Sequence, residues 1–160
     1  MSIDLSLVGP MPVDAAKFLE AVRDFGRRMF VQALPDIELY EIADGRRGDV
    51  PVVLGVANTM LGLSWQGMND AVALVTVCDE VDVIRLTLSV GATRSPTEYV
   101  LALLGACALA DIWNVPVLDD SHFWGNTDVL QREAIAMTFK TTVGGFVDAC
   151  QTIISRLEEQ

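Results

Sequence analysis

Asp119, Asp120 and His122 form the tightest grouping of chemically versatile side chains in this sequence. Two carboxylates and an imidazole at such spacing can ligate a divalent cation or set a carboxylate beside a base. His122 is the only histidine, which removes any site built on two imidazoles of this chain. The same residues equally make a solvated loop anchored by Phe123 and Trp124, and the sequence favours that reading. No catalytic residue, no metal and no cofactor is therefore expected.

A thiol beside His122 would be the other route to nucleophilic chemistry. Catalytic cysteines need electropositive, partly exposed surroundings to ionise. Cys107 and Cys150 sit in apolar stretches, and Cys78 precedes Asp79 and Glu80, whose charge disfavours a thiolate. Three cysteines without a C-x-x-C spacing read as buried thiols in a reducing compartment. Arg47-Gly48-Asp49 matches an integrin-type tripeptide and Asp79-Glu80-Val81-Asp82 a caspase-cleavage string, but both read as solvated turns. Gly144-Gly145 lacks the flanking pattern of a phosphate-binding loop.

What remains is acidity beside aromatic rings. Asp111, Trp113, Asp119, Asp120, His122, Phe123 and Trp124 fall in a short span around an expected edge strand. Carboxylates steer a basic partner and aromatics supply burial, so this span is the candidate partner-binding site. In the competing reading Trp113 and Trp124 simply close the core.

These residues need a frame. Residues 2–8 alternate polar and apolar, which predicts a strand ended by Gly9 and Pro10. After Asp14, a good N-cap, Phe18, Val22, Phe25 and Met29 line one helical face. Residues 37–42 and 50–56 are expected to pair as a hairpin, followed over 59–68 by an irregular connection with room for a short strand. Residues 71–77 and 83–90 form a second expected hairpin. Ser95, Pro96 and Glu98 open a helix that is apolar nearly all round, so it belongs in the middle of the helical layer. Asn114 ends it, residues 115–118 read as an edge strand, and a helix is expected over 128–143. Phe146, Cys150, Ile153, Ile154 and Leu157 share one face of a last helix. The fold class is thus α+β, a two-layer sandwich with a mainly antiparallel sheet and helices on one face.

The 160 residues suit one domain, 1–160, that buries a sizeable core without staples. The chain is 51% hydrophobic, but its longest uncharged window, 50–69, is broken by Pro51, Gly55, Gly62 and Gly67, so no membrane span is expected. The N-terminus does not read as a signal peptide, which points to the cytoplasm. A net charge of −11 repels nucleic acid and anionic lipid and attracts basic proteins.

The apolar helix 99–110, the short strand 115–118 and the following Asp119-Asp120 with Trp124 resemble small acidic bacterial α+β proteins, some of which accompany polymorphic toxins as immunity proteins. The likeness rests on topology and acidity over the central two-thirds of the chain. It implies a non-enzymatic immunity or inhibitor protein that occludes a basic effector. Two alternatives stand beside it: a secretion-system accessory or assembly subunit that forms a homo-oligomer, and a small enzyme or ligand-binding protein using Asp119, Asp120 and His122.

Overall fold

The computed structural model describes residues 3–68, 71–78, 83–91, 95–119, 129–130 and 144–158. Its strands are β1 (Ile3–Gly9), β2 (Val13–Asp14), β3 (Ile37–Ala43), β4 (Arg46–Arg47), β5 (Val53–Leu54), β6 (Thr59–Trp65), β7 (Ala71–Cys78), β8 (Ile84–Val90), β9 (Val117–Asp119) and β10 (Val129–Leu130). The helices are α1 (Ala15–Met29), α2 (Pro96–Trp113) and α3 (Phe146–Glu158). The class is α+β, with one antiparallel sheet in the order β10-β9-β1-β8-β7-β6-β3-β4, a separate β2-β5 pair, and helices packed on the sheet.

Period-two patterning fixes the register. Ile3, Leu5 and Leu7 of β1 lie level with Val90, Leu88 and Leu86 of β8, and all six are buried. β7 and β8 form the expected hairpin, with Leu74 opposite Leu88. Its connecting turn, 79–82, lies outside the described residues.

The partner of β3 differs from expectation. β3 pairs along its length with β6, Ile37 opposite Trp65 and Leu39 opposite Leu63, so the short strand allowed for in 59–68 is a full interior strand over 59–65 and the irregular part is confined to its end. Gly62 and Ser64 look wrong for a strand only until their neighbour is known. The Tyr40 ring lies where a Cβ on Gly62 would be, and Tyr40 Oη and Ser64 Oγ are hydrogen-bonded at 2.7 Å. The apolar run 50–56 is displaced from the sheet. Only Val53–Leu54 is strand, paired with Val13–Asp14.

The helices obey their end signals. Asp14 Oδ1 accepts the Lys17 amide at 3.1 Å, and Phe18, Val22 and Phe25 are buried. Ser95 Oγ accepts the Glu98 amide at 3.2 Å, Pro96 is the first residue of α2, and Asn114 closes it in the left-handed region at φ 55°. By length and composition α2 could cross a membrane, but it is buried from Thr97 to Ala110 between the sheet and the flanking helices. Trp65 anchors the junction with α3. Its Nε1 donates to the Thr97 carbonyl at 2.9 Å, and Phe146 meets the indole edge-on with centroids 4.9 Å apart. Val129–Leu130 pairs with β9, so the helix expected from residue 128 does not begin there. The rest of that expected helix, 131–143, lies outside the described residues.

Candidate docking surface

The span chosen from the sequence is divided by the fold. Asp111 is exposed on the last turns of α2. Trp113 is only 8% exposed, with its indole over Gly9 and its Nε1 donating to the Met11 carbonyl at 3.0 Å. Asp119 lies opposite Leu5 in the β1–β9 register and is fully buried. The chain turns at Asn114 straight back beside β1, so alternate β9 residues, Val117 and Asp119, take the buried side. Trp113 and Asp119 are therefore interior residues and not surface contacts. Asp120, His122, Phe123 and Trp124 lie outside the described residues.

The thiols are packed. Cys107 and Cys150 are fully buried, and burial pushes the Cys150 thiol up to about 12. Cys78 is half-buried, and its Sγ donates to the Gly55 carbonyl at 3.2 Å. Among the described residues no group of three or more His, Cys, Asp or Glu is placed to hold a metal. A cavity of about 470 Å³ lies beside the end of α1 between Arg27, Gln32 and Pro35. Another of about 360 Å³ lies between Leu19, Tyr40 and Val50. The arginines that reach them are engaged: Arg23 binds Asp36 at 3.0 Å, and Arg47 binds Glu38 at 3.2 Å while stacking on Tyr40.

A different surface emerges from residues 49–56, of which 50–56 read in sequence as a strand. The backbone of this strap is held at several points. The Glu41 amide donates to the Asp49 carbonyl, and the Ala15 amide at the start of α1 donates to the Val52 carbonyl. Val53 and Leu54 pair with β2, and Gly55 receives the Cys78 thiol. Just beyond, Asn58 Oδ1 accepts the Cys78 amide at 2.7 Å. Leu54 plugs into the core at 1% exposure, whereas Val50, Val52 and Val56 are 59%, 80% and 67% exposed.

A Cβ on Gly55 would lie 3.0 Å from the Ile84 side chain and 3.6 Å from Pro12, so the strap ends beside the segments that carry the exposed Met11 and Val83. Carboxylates border it. Asp14 pairs with Val53 across β2-β5, Asp49 adjoins Val50, and Glu41 is bonded to the strap's first residue. All three are exposed, and none is ion-paired among the described residues. The expected pairing of 50–56 with 37–42 does not form, because β6 lies beside β3.

Compared with known proteins, the chain matches no family model, and no curated protein or solved structure is detectably similar to it.

Proposed function

We propose that this chain is a non-enzymatic protein-binding protein that engages a basic partner, of the immunity or inhibitor type, in the bacterial cytoplasm. The observation that carries the reading is the imbalance of surface charge. Five described ion pairs draw on three arginines, Arg23, Arg27 and Arg47, while Asp14, Glu41, Asp44, Asp49 and Asp148 are exposed and meet no cation among the described residues. With a net charge of −11, these carboxylates set a negative field that accelerates encounter with a cationic surface.

The proposal is tested on the purified chain and the basic product of a neighbouring gene, mixed at increasing ionic strength. Stable complex formation with an on-rate that falls as salt rises supports it. An immunity role further requires that the complex block the partner's toxicity in cells. A chain that leaves such partners unbound while turning over a small molecule would favour an enzyme instead.

A further inference from the structure

We infer that the strap 49–56, together with Met11 and Val83, is the contact face for this partner, and that the occupant is a protein segment presenting apolar side chains flanked by lysine or arginine. The inference rests on the proposed function and locates it.

Solvent-facing apolar side chains gathered in one place mark interaction sites, whereas scattered ones are ordinary. Here Val50, Val52, Val53 and Val56 belong to a single short segment, and Met11 and Val83 belong to the segments beside which it ends. The valines are not loose. Hydrogen bonds from Ala15 and Cys78, the β2-β5 pairing and the buried Leu54 fix the backbone that carries them. A face already ordered loses little conformational freedom when it docks. Valine adds to this because its branched side chain has few rotamers to lose.

Charge chooses the occupant. Asp14, Glu41 and Asp49 border the valines without an ion pair among the described residues, so a cationic segment gains attraction at the rim while burying the apolar centre. A second copy would bring the same carboxylates and another net charge of −11 against them. Lys17 and Arg46 are exposed nearby and temper the field without reversing it.

The test places a photo-crosslinking amino acid at Val52, at Val56 and, as a control, at Val147 on α3, in the full chain expressed in its source cell. The expected result is one basic protein joined through positions 52 and 56 and absent from 147. With that protein purified, V52N/V56N, which removes apolar surface without adding charge, is expected to weaken its affinity at least about tenfold at unchanged circular dichroism and melting temperature. Full affinity in the double variant would overturn the contact face and leave the proposed function standing. Crosslinks only to a second copy would overturn the choice of occupant. No basic protein from any position would overturn both the face and the function on which it rests.

Discussion

The phenol of Tyr40 and the hydroxyl of Ser64 meet at 2.7 Å across the face of Gly62, joining β3 to β6 on the side of the sheet away from α2. Both residues are buried, so each hydroxyl relies on the other. Tyr40→Phe leaves the Ser64 hydroxyl without its partner and is expected to cost about 1–2 kcal/mol. Gly62→Val is expected to cost more, because the ring already occupies the added volume. Urea unfolding measures both, and a Y40F midpoint equal to wild type would show that the bond contributes nothing.

Gly9 stands in the same relation to Trp113. A methyl group at position 9 would lie within the indole, which is held by its bond to Met11. Gly9→Ala is therefore expected to lose about 1–3 kcal/mol and to change the near-ultraviolet circular dichroism of the tryptophans. An unaltered spectrum and melting temperature would contradict the packing described.

Cys150 gives a pH-dependent signature. Burial raises its folded pKa from 9.0 to about 12, so the native thiol stays protonated. The unfolded thiol ionises first. The thiol's contribution is thus intact below pH 9 and is lost between pH 9 and about 12. Removing that ionisation with Cys150→Ala should flatten the alkaline fall in stability, after allowance for the variant's own cavity. At pH 8 a thiol reagent should label Cys150 only after unfolding, and rapid native labelling would show that the site is open.

At the acid end the sign reverses. The Ile37 amide and then the Arg23 guanidinium hold the Asp36 carboxyl below its ordinary 3.8. The contribution of Asp36 is present above that value and fades as pH drops through the lowered one. Asp36→Asn is expected to be less stable than wild type at neutral pH and to converge with it in strong acid. A gap that persists at low pH would assign the effect to packing.

Much of this fold was legible where one segment carries its own instructions. β1 and β8 alternate cleanly, α1 has its Asp14 cap, and α2 has Ser95, Pro96 and Asn114. The errors fall where the outcome depends on a distant neighbour. Gly62 and Ser64 argue against a strand until Tyr40 supplies their missing volume and hydrogen bond. Residues 50–56 are hydrophobic enough for a core, yet β6 holds the place beside β3. Site residues proved harder still. Trp113 and Asp119 have surface-active side chains, and only the return of the chain beside β1 puts them inside.

Capture of a basic protein by the negatively charged, valine-bearing face is read most directly from the stopped-flow association rate with the partner recovered by crosslinking at position 52, measured against ionic strength. A fall of about tenfold or more from low to high salt is expected, with a faster dissociation for V52N/V56N. An association rate indifferent to salt, with dissociation unchanged in the variant, would contradict it.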